Sequence, residues 1–153
     1  MNDINRIIER AEQHCKAHGS RLTAKRKQLL AALIQSKKAL SAYELIDYCL
    51  ENNGESIPAM SVYRILTFLE EERLVHKLNL ANKYVACAHI SCGHAHSVSQ
   101  FLICRKCSKV KETSINPDTM ADLHSTIEEA GFKLISPQLE MNCLCDDCLT
   151  QAA

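Results

Sequence analysis

Two pairs of cysteines with the same spacing are the strongest chemical signal in the sequence. Cys104 and Cys107 form one Cys-x-x-Cys motif, and Cys145 and Cys148 form a second. Such a turn holds two thiolates about 3.5–4 Å apart, which suits two corners of a tetrahedral zinc ion with Zn–S bonds of about 2.3 Å. Two pairs complete the tetrahedron. We therefore predict a closed, structural zinc site made of these four residues.

The alternatives for these cysteines are a thioredoxin-like redox pair and a reactive disulfide switch. Either would suit one motif, but two motifs without the βαβ pattern of a redox fold favour zinc. Cys143 leaves a choice open, because Cys143-x-Cys145 could also contribute ligands. We prefer Cys145 and Cys148 because their spacing mirrors that of the first pair.

A second, mixed group of possible ligands lies before and just after the first cysteine pair. Four of the seven histidines fall between positions 76 and 96. Imidazole, thiolate and carboxylate together suit zinc, because a thiolate selects softer metals than carboxylates do. The sequence therefore predicts a second metal site, with these candidate ligands: His76, Cys87, His89, Cys92, His94, His96 and Glu112.

Hydrophobic periodicity predicts four helices in the first half of the chain. The first covers residues 4–16, Thr23 caps the second, and Ser41 caps the third, with Glu44 completing a capping box. A fourth begins near Pro58 and Ser61. Two short β-prone runs, 74–78 and 83–86, then flank a polar turn and predict a hairpin. Helices followed by a hairpin are the order of a winged helix-turn-helix.

The second half predicts a small α+β unit. A strand at 101–103 leads into the first cysteine turn, and a return strand follows at 110–113. Asn116 and Pro117 mark a helix start, Gly131 ends that helix, and residues 132–141 are predicted to be a last strand. The boundary falls within 83–88. We predict an α+β chain with one domain over residues 1–85 and another over 88–153.

Composition excludes several classes of protein. No segment approaches the roughly 18 apolar residues that a membrane helix needs, and the first residues lack a secretion pattern. We therefore expect a cytoplasmic protein with no membrane partner, in which nine cysteines remain reduced and require another explanation such as metal. The net charge is zero, with a slight basic excess in residues 1–80 that suits phosphate binding.

The chain resembles the ferric uptake regulator family, and within it the zinc uptake regulator branch. Cys87 after the hairpin favours that branch, as does the absence of a dense His-His-x-His run before the first cysteine motif. Matching stretches run through most of the chain: residues 21–26, 41–45, 61–64, 74–77, 84–87 and 101–107.

The resemblance implies an N-terminal winged helix-turn-helix domain and a small α/β dimerisation domain with a zinc site of four cysteines. It implies two Zn²⁺ ions per chain, a homodimer, double-stranded operator DNA as partner and no small-molecule substrate. The structural zinc would be held by the four cysteines named above. The regulatory ligands would be His76, Cys87, His96 and Glu112. The DNA-binding residues would be Tyr43, Ser61, Tyr63 and Arg64.

The sequence departs from the family pattern around the fourth regulatory ligand. The segment between Cys87 and Cys104 is about two residues longer than in relatives, and His96 stands one residue further from Cys104. A one-residue shift in a strand turns a side chain to the other face unless a bulge corrects it. His94 or His89 could therefore replace His96. No role is assigned to Cys92, Cys143 or His124.

The function expected from the resemblance is repression of zinc uptake genes by a zinc-loaded dimer on palindromic operators. A regulator of the same fold that senses iron, manganese or peroxide is the alternative. An enzyme such as a zinc nucleobase deaminase is not expected, because it needs His-x-Glu and Pro-Cys-x-x-Cys motifs, and neither occurs. A zinc-storage protein would leave the winged helix unexplained.

Overall fold

The computed structural model describes residues 3–88, 90, 99–135 and 138–151. The chain divides into two compact units, Met1–His94 and Ala95–Ala153, here called the N-terminal and C-terminal units. The domain boundary predicted within 83–88 stays a prediction. In the described residues, no helix is both long and apolar enough to cross a membrane.

The described part of the N-terminal unit contains four helices, and the second and third begin at the predicted caps. The Thr23 hydroxyl accepts a hydrogen bond from the Arg26 N–H at 3.4 Å, and Ser41 and Glu44 form the reciprocal capping box at 3.1 and 3.2 Å. Gly54 ends the third helix in the left-handed conformation at φ 67°. The helices are α1 (Asp3–Ala17), α2 (Ala24–Ser36), α3 (Ala42–Asn53) and α4 (Ala59–Glu71).

A hairpin follows α4 and completes the winged helix. Strands β1 (Val75–Leu78) and β2 (Lys83–Ala86) pair antiparallel. The backbone of Leu40, between α2 and α3, pairs with Tyr84 of β2 through N···O distances of 2.9 and 2.7 Å. The hairpin is therefore attached to the helices by backbone hydrogen bonds as well as by side chains.

The core of the N-terminal unit lies where α2, α3 and α4 pack together. Leu29, Leu45 and Leu66 are completely buried there. Cys15 of α1 and Cys49 of α3 are also completely buried, and burial raises the pKa of both thiols. Raised pKa values make thiols unreactive, so these two cysteines serve as core packing.

The C-terminal unit is a three-stranded sheet with two helices. Its central strand, β3 (Ser99–Cys104), pairs antiparallel with β4 (Val110–Ser114) and parallel with β5 (Gln138–Cys143). Helix α5 (Pro117–Glu129) makes the crossover that a parallel pair requires. The structure confirms the predicted α+β class, with a winged helix followed by a small α/β unit.

The end of the C-terminal unit differs from the prediction. Residues 132–135 do not form a strand, and in the described residues β5 covers Gln138–Cys143, where Gln138 pairs with Ser99 of β3. Phe132 and Ile135 are 73% and 90% exposed. Their apolar character indicated a strand, but a strand also needs a neighbouring backbone to pair with, which composition does not specify. A short helix, α6 (Asp146–Gln151), was not predicted because six residues carry too little periodicity.

The C-terminal unit has a small core. Its buried described residues are Phe101, Ile103, Cys104, Cys148 and Ser99, and no described residue of α5 is buried. A unit of this size with so few buried apolar side chains needs stabilisation from a metal, a partner or both.

Candidate metal and DNA-binding sites

The structure brings the four predicted cysteine ligands together. The Sγ atoms of Cys104 and Cys148 lie 3.7 Å apart, and those of Cys107 and Cys145 also lie 3.7 Å apart. All four sulfur atoms lie within 4.8 Å of one another. Zinc with Zn–S bonds of about 2.3 Å requires tetrahedral edges of about 3.8 Å. The four thiols therefore fit a zinc ion by number, type and spacing.

Strand pairing positions these sulfur atoms. The register of β3 and β5 sets Cys104 opposite Cys143, and the Arg105 N–H donates to the Cys143 carbonyl at 3.0 Å. The chain beyond β5 therefore passes beside the first cysteine turn, where the Cys145 N–H donates to the Cys104 sulfur at 3.4 Å. Helix α6 then brings Cys148 back toward Cys104.

Hydrogen bonding prepares one of the four sulfur atoms for a cation. Backbone N–H groups of Cys107 and Cys145 lower the pKa of the Cys104 thiol to about 6. The sulfur contact with Cys145, together with burial, raises the pKa of Cys148 to about 12. One thiolate is thus favoured at neutral pH before a metal arrives, and a divalent cation would favour ionisation of the others.

Cys143 is not a member of this group. Its sulfur contacts the Met141 carbonyl at 3.7 Å. The four-sulfur group consists of Cys104, Cys107, Cys145 and Cys148. The geometry therefore agrees with the preference for Cys145 and Cys148 over Cys143.

The predicted regulatory ligands are distributed over both units. In the N-terminal unit, His76 of β1 and Cys87, just after β2, place their ligand atoms within 4.8 Å of each other. The Cys87 N–H donates to the Leu74 carbonyl at 2.9 Å, which continues the hairpin ladder. In the C-terminal unit, Glu112 of β4 accepts a hydrogen bond from the Ser99 hydroxyl at 2.9 Å.

The remaining candidates for this second site are His89, Cys92, His94 and His96. All four lie outside the described residues. The choice of fourth ligand therefore stays a prediction.

The predicted DNA-binding side chains lie on the solvent side of α3 and α4. The buried stripe of α4 is Val62, Ile65, Leu66 and Leu69. Tyr63 is 42% exposed, Arg64 is exposed and Ser61 is half-buried, while Tyr43 at the start of α3 is 65% exposed. An exposed Tyr–Arg pair on the second helix of a helix-turn-helix is suited to contact DNA bases.

Two features of the N-terminal unit were not predicted. Met60, at the start of α4, is 68% exposed. Its position outside the apolar stripe of that helix could have predicted this exposure from the sequence. His14 of α1 and His18, which directly follows α1, lie beside Glu72, which follows α4. Their His-x-x-x-His spacing at the end of a helix was a signal for this group.

Comparison with known proteins agrees with this arrangement. The sequence model of the Ferric uptake regulator family matches residues 17–142 of this chain. The zinc uptake regulation protein of Escherichia coli K12 is 33% identical over 144 residues, covering 94% of this chain and 81% of the relative.

Solved structures agree as well. A zinc uptake regulator complexed with zinc and DNA superposes with a TM-score of 0.83 at 29% identity and full coverage of both chains. Holo XcZur superposes with a TM-score of 0.77 at 32% identity, over 95% of this chain and 99% of the other. The chain belongs to the ferric uptake regulator family.

Proposed function

We propose that this chain is a zinc-responsive repressor that binds palindromic operator DNA as a homodimer and reduces transcription of zinc uptake genes. The observation that carries the proposal is the combination of an exposed Tyr–Arg pair on α4 with the neighbouring ligand atoms of His76 and Cys87 in the same unit. The similarity of the chain to a zinc uptake regulation protein, and to the structure of a zinc uptake regulator with zinc and DNA, supports the same conclusion.

DNA recognition is assigned to the winged helix. Helix α4 enters the major groove, where the Arg64 guanidinium has the geometry to donate two hydrogen bonds to guanine O6 and N7. Ser61 and Tyr63 of the same helix, with Tyr43 of α3, contact the surrounding backbone and bases. A dimer places two such helices about 34 Å apart, one turn of DNA, which explains a palindromic operator.

The structural zinc is assigned to the four cysteines of the C-terminal unit. Their sulfur spacing supports this assignment, and the small core of this unit gives the metal a structural purpose. The same unit is the dimerisation domain. Its apolar exposed side chains would be covered by a second copy: Phe132, Ile135, Met141, Leu144 and Leu149.

The regulatory zinc is assigned to His76, Cys87, Glu112 and His96, with His94 or His89 as alternatives to His96. The ligands come from both domains, 1–85 and 88–153, with a hinge at 83–88. An ion bound by ligands from both domains would fix the orientation of one domain relative to the other. Zinc shifts the equilibrium between two domain arrangements only if one arrangement brings all the ligands together and the other does not. Each chain would then hold two zinc ions, one structural and one exchangeable.

A regulator of iron, manganese or peroxide is the second candidate function, and the ligand types argue against it. The Cys87 sulfur, within 4.8 Å of the ligand atom of His76, is a soft ligand that favours zinc over manganese and other oxygen-preferring ions. We propose that the protein works in the cytoplasm and acts by binding DNA rather than as an enzyme.

Fluorescence anisotropy tests the sensing mechanism. A duplex selected from random sequences by the zinc-loaded protein would be titrated with protein at low and at buffered higher free zinc. We expect tight binding only in the second case, and Cys87→Ser should lose this difference. Cys143→Ser, outside both proposed sites, is the control and should respond like the unmodified protein.

Two results would contradict the proposal. Equal DNA affinity with and without exchangeable zinc would remove the sensing role. A response that manganese or ferrous iron restores better than zinc would support the alternative signal instead.

A further inference from the structure

We propose that His14, His18 and Glu72 form an additional Zn²⁺ site inside the N-terminal unit. The site would join α1 to the residue that follows the recognition helix α4. It shares no ligand with the two sites assigned above, and it does not depend on the proposed function. If the chain did not respond to zinc as a repressor, this group would still be able to bind the ion.

The geometry of the three side chains is close to that of a zinc site. His14 lies in the last turn of α1 and His18 directly follows the helix end at Ala17, and their ring centroids lie 4.3 Å apart. The Nδ1 atom of His18 lies 3.4 Å from Oε2 of Glu72, and Nε2 of His14 lies 3.9 Å from the same oxygen. Zinc with bonds of about 2.0–2.1 Å requires ligand separations of about 3.4 Å. Small side-chain movements would therefore complete the triad.

The backbone fixes Glu72 at this position. Its N–H donates to the Phe68 carbonyl at 3.0 Å, and the Leu74 N–H donates to the Leu69 carbonyl at 2.9 Å, which closes the end of α4. The side chain of Glu72 is only 16% exposed. On the other helix, the fully buried Cys15 lies between the two histidines in sequence and anchors α1 in the core. Both halves of the site are thus held by folded structure.

A purely structural role explains only part of this arrangement. Nε2 of His14 lies 2.9 Å from the Glu72 carbonyl oxygen, so His14 can cap the C-terminal end of α4, where a donor is favourable. His18 makes no contact of this kind in the described residues, and its Nδ1 instead approaches the carboxylate. Two imidazoles converging on one carboxylate are the ligand set of open zinc sites, in which water takes the fourth position.

The site should be weaker than the thiolate sites and should fill after them. It has no cysteine ligand, and zinc must displace the hydrogen bond of His14 as well as any proton on the nitrogen that coordinates it. His14 and His18 are 39% and 57% exposed, so the ion can exchange with solvent. Filling the site would couple α1 to the junction between α4 and the hairpin.

The test counts zinc on the full chain after its tighter sites are loaded. Equilibrium dialysis against a series of buffered zinc concentrations, followed by elemental analysis, measures ions per chain. The unmodified protein should take up one more equivalent than His18→Gln and Glu72→Gln. The matched control is Glu71→Gln, because Glu71 is the exposed neighbour of Glu72 and should leave the count unchanged. His14→Gln retains a donor for the Glu72 carbonyl, so it tests ligation separately from capping.

Nitrogen-15 NMR of the histidine rings provides an independent readout in the unmodified protein, even if a variant fails to fold. Zinc should shift the ring resonances of both His14 and His18 in the concentration range of the last equivalent. The proposal is overturned if those resonances do not move, or if Glu72→Gln binds as much zinc as Glu71→Gln. The group would then be a helix-capping contact only.

Discussion

Replacing Cys107 with serine should unfold the C-terminal unit and leave the N-terminal unit folded. Cys107 is exposed, so the change removes little packing and mainly removes one of four proposed zinc ligands. Cys143→Ser is the matched control in the same unit. Its sulfur has one weak contact, with the Met141 carbonyl at 3.7 Å, and it lies outside the four-sulfur group.

The expected size of the effect follows from how little else holds this unit together. Among the described residues of the C-terminal unit, the large apolar side chains that are fully or nearly fully buried are Phe101 and Ile103. Burial of each side chain stabilises the folded unit by about 1.5–3 kcal/mol. A structural zinc contributes about 10–16 kcal/mol in small zinc-dependent folds. Losing a ligand should therefore cost more than the roughly 2–5 kcal/mol of an ordinary core truncation. Cys143→Ser should cost less than about 1 kcal/mol.

Hydrogen exchange read by mass spectrometry would locate the change. In Cys107→Ser, peptides covering β3, β4 and β5 should exchange at nearly the unprotected rate, while peptides from α2 and α4 keep their protection. Zinc content should fall by one equivalent. If Cys107→Ser kept both its zinc and the protection of the sheet, or if Cys143→Ser behaved identically, the assignment of the structural site would be refuted.

Three other changes test the DNA-binding face, the helix caps and the cysteine group. Arg64→Ala should weaken operator binding by about 1–3 kcal/mol in anisotropy, with an unchanged melting temperature because Arg64 is exposed. Ser41→Ala removes the capping box and should lower the free energy of unfolding by about 1 kcal/mol in denaturant titration. The apparent zinc affinity of the cysteine group in chelator competition should fall as the pH falls, and more steeply below about 6, because protons then also compete for the Cys104 thiolate, whose pKa without metal is about 6; an affinity independent of pH would contradict this.

The parts of the fold that follow from local chemistry were predictable. Ser41 and Glu44 placed the start of α3 because a capping box satisfies backbone donors wherever it occurs. Each Cys-x-x-Cys motif indicated one pair of ligands for a similar local reason, because the short turn holds its two thiols near each other. The meeting of the two pairs depends in addition on the pairing of β3 with β5.

The parts that depend on distant partners were not predictable. Phe132 and Ile135 have the composition of a strand, but they do not form one, because pairing needs a neighbouring backbone that local composition does not specify. The approach of His18 to Glu72 depends on how α1 meets the end of α4, which hydrophobic periodicity does not specify. The fourth regulatory ligand is harder still, because its position depends on a segment longer than the family pattern.

The parallel pairing of β3 with β5 has a consequence for the order of folding. Cys104 and Cys145, which become neighbours through this pairing, are synthesised at well separated times, with β4 and α5 between them. A nascent chain therefore carries the first thiol pair as an incomplete chelate until the crossover has been made. Metal capture should accordingly be a late step that locks a nearly finished sheet, and a chain released into zinc-poor surroundings would spend longest with its thiols open to oxidation.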